Sequence, residues 1–187
     1  CVDLIVTSPP YDNLRTYTGF SWDFEYIARQ AYRVLKQGGV MVWVVGDATI
    51  DGSETLTSFK QALYFKETVG FRMHDTMIWN KYLPGVYGKR YVQAFEFMLV
   101  MAKGEPTTWN PQTRPNKSAG QKKHADQRYG GNTNNGTIKQ NREWVVADNG
   151  IYENVWRIPV GGAMTATDGT KHPGAFPEAL AERHILT

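Results

Sequence analysis

The spacing of apolar and polar positions changes several times along the chain, and each change marks a predicted element. Val2 to Val6 is an apolar run broken only by Asp3, the pattern of a short strand covered on both faces. Asp23 is placed to cap a helix in which Phe24, Ile27, Ala28, Ala31, Val34 and Leu35 recur at helical spacing. Gly38-Gly39 should stop that helix, and Val40 to Val45 then reads as a second buried strand ending at Gly46-Asp47. A second helix is expected to open at Ser53, with Leu56, Phe59 and Leu63 on one face and Gly70 just past its end. Two further strand-like runs, Phe71 to Trp79 and Phe95 to Ala102, are joined by a loop containing Pro and Gly and predict an antiparallel hairpin. The order β-α-β-α-β-β predicts the α/β class, an open, mostly parallel sheet with one antiparallel edge pair.

In such sheets ligands bind beyond the carboxyl ends of the strands. The Ser8-Pro9-Pro10-Tyr11 turn and Gly46-Asp47 both fall at such ends, which makes them site candidates. The turn offers a hydroxyl, carbonyls on a backbone stiffened by two prolines, and an aromatic ring, within four positions. Prolines also simply terminate strands, so a purely structural turn is the plain alternative. Asp47 has the same two readings, a pocket-facing carboxylate or a polar strand terminator, and Asp3 reads as structural.

Composition changes after Lys103. Residues 104–150 are poor in aliphatics and rich in Asn, Gly, Gln and Thr, with Trp109, Tyr129 and Trp144 interleaved among Arg114, Lys117, Lys122, Lys123, Arg128, Lys139 and Arg142. That mixture fits a nucleic-acid reader, in which cations meet phosphates and Asn, Gln and Arg read base edges. A solvated insertion is the alternative. The glycines near Gly130-Gly131 do not form a phosphate loop, because no strand precedes and no helix follows them. The segment from His172 to Pro177 reads as a rigid turn feeding a helix, with Pro177 at its first position.

The totals bound this picture without deciding it. A chain of 187 residues, 41% hydrophobic and 21% charged, is ordinary for a globular protein, and a net charge of +3 does not by itself indicate nucleic-acid binding. No apolar run approaches the roughly 20 residues of a membrane span, and none reads as a signal peptide. One cysteine, Cys1, excludes an internal disulfide, and the four histidines show no metal-ligand spacing, so no metal site is expected. His74 falls within a strand pattern and is not expected to be catalytic. Because the chain starts inside a strand and stops after a helix, both ends read as cut, and a fragment of a longer protein is expected.

Thr7-Ser8-Pro9-Pro10-Tyr11 resembles the catalytic motif of the S-adenosylmethionine-dependent DNA amino-methyltransferases, in its Ser-Pro-Pro-Tyr form. His172-Pro173-Gly174-Ala175-Phe176-Pro177-Glu178 resembles the segment that precedes the cofactor-binding glycine motif in the permuted, or β, group of that family. Arg33 to Gly39 and Val44-Val45-Gly46-Asp47 are also typical of it, and the order of motifs matches over nearly the whole chain. The resemblance implies a Rossmann-like methyltransferase sheet, incomplete at both ends: residues 1–103 the catalytic half, 104–157 the target-recognition region, 158–187 the return to the cofactor half. The Phe-x-Gly-x-Gly turn of the family is absent and is expected just beyond Thr187.

It further implies S-adenosylmethionine as cofactor, with His172, Pro173, Phe176, Pro177 and Asp47 on its side of the site. Double-stranded DNA is the implied partner, held through the seven cations named above. A restriction endonuclease is a candidate partner, no membrane is involved, and a cytoplasmic, nucleoid-associated location follows. Ser8, Pro9, Pro10 and Tyr11 become the catalytic set, and no cysteine nucleophile is needed. An exocyclic amine is a poor nucleophile because its lone pair is delocalised into the ring; acceptors aimed at its hydrogens favour a tetrahedral nitrogen. Ser8 Oγ and the Pro9 carbonyl would accept, and Tyr11 would stack on a base extruded from the duplex. Serine at position 8 favours cytosine N4, with adenine N6 as the alternative. A non-catalytic DNA-binding module and an RNA or protein amino-methyltransferase are the rival readings.

Overall fold

The computed structural model describes residues 2–10, 22–81, 90–124, 143–160 and 176–187. Cys1, Tyr11, Arg128, Tyr129, Lys139, Arg142, His172 and Pro173 lie outside the described residues, as do the predicted Pro-Gly loop and the glycines at 130–131. The described chain falls into two compact units, residues 1–110 with 153–187, and residues 111–152.

The larger unit is built on a five-stranded sheet. Its strands are β1 (Val2–Thr7), β2 (Leu35–Val45), β5 (Arg72–Asn80), β6 (Phe95–Ala102) and β11 (Val155–Arg157), after two short strands β3 (Thr49–Ile50) and β4 (Ser53–Glu54) that form a small hairpin. The spatial order is β1-β2-β6-β5-β11. β1 runs parallel to β2 and β5 parallel to β11, while β6 is antiparallel to both of its neighbours. Four strands therefore point one way and β6 alone is reversed. The expected mostly parallel sheet with an antiparallel hairpin is present, but the hairpin does not form the edge. β11, too short to stand out in the sequence, adds outside β5 through Val155↔Ile78 and Arg157↔Asn80.

Strand alternation divides the core between the two faces of this sheet. Met41, Trp43, Val45, Leu99 and Met101 pack with Ala28, Phe65 and Phe71 on one face. Val42, Val44, Met98 and Val100 pack with Trp79, Trp156, Ile158 and Leu180 on the other. β2 reads as a continuous apolar run because both of its sides are covered.

Helix α1 (Phe24–Val34) starts as predicted: Asp23 Oδ1 accepts from the Tyr26 amide at 2.9 Å. It ends at Val34, with Leu35 already extended in β2, so the glycine pair does not act as the stop. The Lys103 ammonium ends it instead, donating to the carbonyls of Tyr32 and Leu35 at 3.0 Å each and lying 4.8 Å from the Tyr32 ring centre. A cation suits the negative end of a helix. Gly38 is needed for another reason: its φ is +79°, and a Cβ there would stand 2.4 Å from Thr107.

The second helix departs further from expectation. Ser53 belongs to β4, and α2 runs from Thr57 to Leu63, continuing as one π-helical stretch, Tyr64–Val69, that closes at Gly70. Leu56, Phe59 and Leu63 are exposed, whereas Ser58, Gln61 and Phe65 are buried. The helix is rotated because its polar residues are tied to β2 and the turn that follows it, as detailed below.

Helix α3 (Glu178–Leu186) lies on the second face of the sheet, with Pro177 at its cap position. Its inner side carries His184, whose Nε2 lies 3.4 Å from Met98 Sδ and whose ring centre is 4.6 Å from that of Trp156. Burial lowers the His184 pKa to about 4. Near the sheet entrance, both oxygens of Asp3 accept from Lys36 at 2.8 Å, the structural role expected of Asp3.

The smaller unit holds two antiparallel ladders. β7 (Thr113–Pro115) pairs with β10 (Asn149–Ile151), and β8 (Lys122–His124) pairs with β9 (Glu143–Val145). None of its residues with described burial is buried. Local bonds hold it, such as Asn116 Nδ2 to the Ala147 carbonyl at 2.8 Å, together with the Arg114 guanidinium 5.3 Å from the Tyr152 ring centre.

The buried histidine has a consequence for stability. Between pH 6.5 and about 4 the unfolded chain binds a proton at His184 that the folded chain does not. Stability should therefore fall as pH drops through this window, by on the order of 3 kcal/mol at most. Denaturant titrations at pH 7 and pH 4.5 should show a smaller difference for His184→Phe than for the wild type.

Candidate functional site

Because β1 and β2 are parallel and in register at Thr7↔Trp43, their following turns emerge at the same end of the sheet. Ser8, Pro9 and Pro10 leave β1 there; Pro9 is buried, Ser8 and Pro10 half-buried. Asp47 follows β2 and is 7% exposed. Its carboxylate is committed: Oδ1 accepts from the Ser58 amide at 2.8 Å and Oδ2 from the Ser58 hydroxyl at 2.6 Å. The side chain thus caps α2 from the neighbouring strand end.

One residue pair further along, Gln61 Oε1 accepts from the Trp43 indole N–H at 2.8 Å, inside the protein. Ser58 and Gln61 stand three apart on one helical face. Gln61 is fixed to β2 and Ser58 to the turn that follows it, which is what turns Leu56, Phe59 and Leu63 outward.

Beside Pro10 lies a cleft of about 390 Å³ between the first turn of α1 and α2. Trp22, Phe24 and Tyr64 supply aromatic walls, and Glu25, Thr57, Lys60 and Gln61 complete the lining. Phe24 sits edge-on to Tyr64 at 5.2 Å and to Phe65 at 5.3 Å, which fixes the inner wall to the core. The Tyr64 hydroxyl donates to Glu25 Oε2 at 3.0 Å. Desolvation, then this bond, raises its pKa above the ordinary tyrosine value.

The structure brings Pro10 to this cleft but not Phe176, which packs on the opposite face of the sheet with Leu4 and Val6. Pro177 caps α3 beside it. Among the candidate cations, Arg114, Lys117, Lys122 and Lys123 are described, and all four are exposed. Lys123 is paired across the β8–β9 ladder with Trp144, itself 44% exposed. His74 lies in β5 with its ring centre 6.3 Å from that of Trp109. Among the described residues no cluster of His, Cys, Asp and Glu could hold a metal ion, and no helix is long and apolar enough to cross a membrane.

Trp22, Phe24, Gln61 and Tyr64 are absent from the sequence-based candidates. The one available signal was the pair of polar residues Ser58 and Gln61 on a helix whose apolar residues lie off that face.

Parallel strands ending in a rigid polar turn beside an aromatic cleft, with one reversed strand inside the sheet, make a Rossmann-like α/β fold. The structure of the PvuII DNA methyltransferase (cytosine-N4-specific) superposes with a TM-score of 0.60 at 17% identity, covering all of this chain and 64% of that one. The chain belongs to the DNA methylase family of N6 and N4 amino-methyltransferases, which it matches over residues 2–187. It is 47% identical over 190 residues to the orphan methyltransferase M.BamHII of Bacillus amyloliquefaciens, spanning 71% of that protein. It is 26% identical to the type II methyltransferase M.BglII of Bacillus subtilis, spanning 51% of it.

Proposed function

We propose that this chain carries the base-clamping part of an S-adenosylmethionine-dependent DNA methyltransferase acting on the N4 amine of cytosine. The observation that carries the reading is the position of Ser8-Pro9-Pro10: a half-buried hydroxyl and a buried proline held at the end of β1, next to an aromatic cleft. Pro9 cannot shift without disturbing its packing, so its carbonyl and Ser8 Oγ form a fixed pair of acceptors. Aimed at the two amine hydrogens, they draw the nitrogen toward tetrahedral geometry and free its lone pair. S-adenosylmethionine supplies a methyl group activated on sulfonium. With the donor bound, the amine nitrogen would take the methyl as its bond to sulfur breaks, the donor would leave as a neutral thioether, one amine proton would pass to solvent, and most of the acceleration would come from alignment. Tyr11, from outside the described residues, completes the clamp by stacking.

Phe176, half-buried just before α3 on the second face of the sheet, is proposed as an apolar wall for the methyl donor, with Pro177 at the helix cap. His172 and Pro173, outside the described residues, are proposed as further cofactor-side residues. Asp47 does not fit a direct donor contact, because Ser58 engages both of its oxygens; its proposed part is to position α2. The exposed cations and aromatics of the smaller unit support residues 104–157 as the DNA-contacting region, with Arg114, Lys117, Lys122 and Lys123 toward phosphates and Arg128, Lys139 and Arg142 proposed with them.

Nucleoside analysis of DNA methylated by the enzyme tests the base assignment: N4-methylcytosine is expected, and N6-methyladenine alone would overturn it. DNA binding without any methylation would favour the non-catalytic module. Ser8→Ala should lower single-turnover methyl transfer on the order of 100-fold with little change in DNA affinity. Replacing Lys122 and Lys123 together by Gln should flatten the dependence of log K on log salt by about 1 to 2; an unaltered slope removes both from the interface.

A further inference from the structure

The cleft beside Pro10 holds one polar group whose orientation is settled by chemistry. Gln61 is only 6% exposed, and its amide has two ends. The Trp43 indole nitrogen is a donor and nothing else, so the amide oxygen must face it, as the 2.8 Å contact shows. The Gln61 NH₂ therefore points away from Trp43, and among the described residues no acceptor takes either of its hydrogens. No fully buried side-chain polar atom among the described residues lacks a partner. The amide nitrogen must then reach open space, and the space Gln61 lines is the cleft.

We propose that this cleft receives the extruded cytosine and that Gln61 Nε2 donates to its ring N3, next to the amine. The inference rests on the proposed function and names a specificity-determining residue within it. The shapes agree: a planar ring between aromatic walls fits a cleft of about 390 Å³, a volume ordinary for small-ligand sites. The chemistry agrees as well. The amine edge of cytosine alternates donor N4 and acceptor N3, so acceptors at Ser8 and Pro9 need a donor beside them. Gln61 is that donor, and Trp43 keeps it from flipping to present its oxygen. A base offering a donor at that ring position, such as the N1–H of guanine or the N3–H of thymine, would meet the amide hydrogens head-on. Trp22, 39% exposed on the cleft wall, offers a stacking surface for the ring.

The test pairs a protein change with a substrate change. A duplex carrying the enzyme's mapped target is made with cytosine or with 3-deazacytosine, which has C–H in place of ring N3. Single-turnover methylation of each is measured for wild type and for Gln61→Glu, whose carboxylate still accepts from Trp43 but offers no donor. The wild type should prefer cytosine by about 10- to 100-fold, and Gln61→Glu should prefer it by less than about 3-fold. Affinity for S-adenosylmethionine should be unchanged within about 2-fold. Equal discrimination by the two proteins would overturn the proposal. So would a wild type indifferent to the analogue, a readout that needs no variant to fold. Loss of S-adenosylmethionine affinity in Gln61→Glu would overturn it too, by giving the cleft to the donor. If the wild type methylates adenine or nothing, the proposed function fails first, before the variant is compared.

Discussion

The position of α2 depends on hydrogen bonds that reach across from the end of one strand. Asp47 takes both the amide and the hydroxyl of Ser58, and Trp43 engages Gln61 one turn later. These contacts are inside the protein, where an unpaired polar group costs about 1–3 kcal/mol, so they hold the helix in one rotational setting. That setting turns three large apolar residues to solvent, a cost that packing alone would not accept. It also places Thr57, Lys60, Gln61 and Tyr64 along one cleft. The polar anchor, rather than the apolar pattern, decides what this helix presents.

The sheet supplies the rigid side of the same arrangement. β2 is covered on both faces and flanked by β1 and β6, so the two turns that leave β1 and β2 inherit a fixed separation. β6 is reversed within an otherwise parallel set, between β2 and β5, and β11 forms the far edge. α1 is held at both ends, by Asp23 at its start and Lys103 at its finish. Its first turn therefore presents Phe24 and Glu25 to the cleft at a defined height.

Much of this was legible in the sequence, where one physical signal dominated. The strands β1, β2 and β6 are dense apolar runs, and the Asp23 cap sits directly before a helical period, so both were readable. Ser8-Pro9-Pro10 was readable because prolines at a strand end restrict the backbone so severely. α2 was misread because its inward face is polar. Leu56, Phe59 and Leu63 keep helical spacing, and nothing local shows that Asp47 and Trp43, ten and more residues upstream, rotate them outward. β11 was missed because a three-residue strand leaves no periodic trace. The aromatic walls of the cleft come from segments brought together only by the fold, so no contiguous motif contains them.

Gln61, 6% exposed, is bonded through its oxygen to Trp43, and among the described residues its nitrogen meets no protein acceptor. At position 61 a methionine or leucine would fill similar volume and leave no donor idle, although the Trp43 N–H would then lose its acceptor. Glutamine resolves that conflict in one direction: its oxygen serves the tryptophan, and its nitrogen is left facing the cleft. Local rules are broken most often where a ligand completes them. The proposed acceptors at Ser8 and Pro9 pose the complementary problem, a pair of lone-pair groups at a strand end for which no side-chain donor is found among the described residues. A flat ring carrying an amine beside a ring acceptor resolves both at once, which is why the two features are best understood as halves of one site.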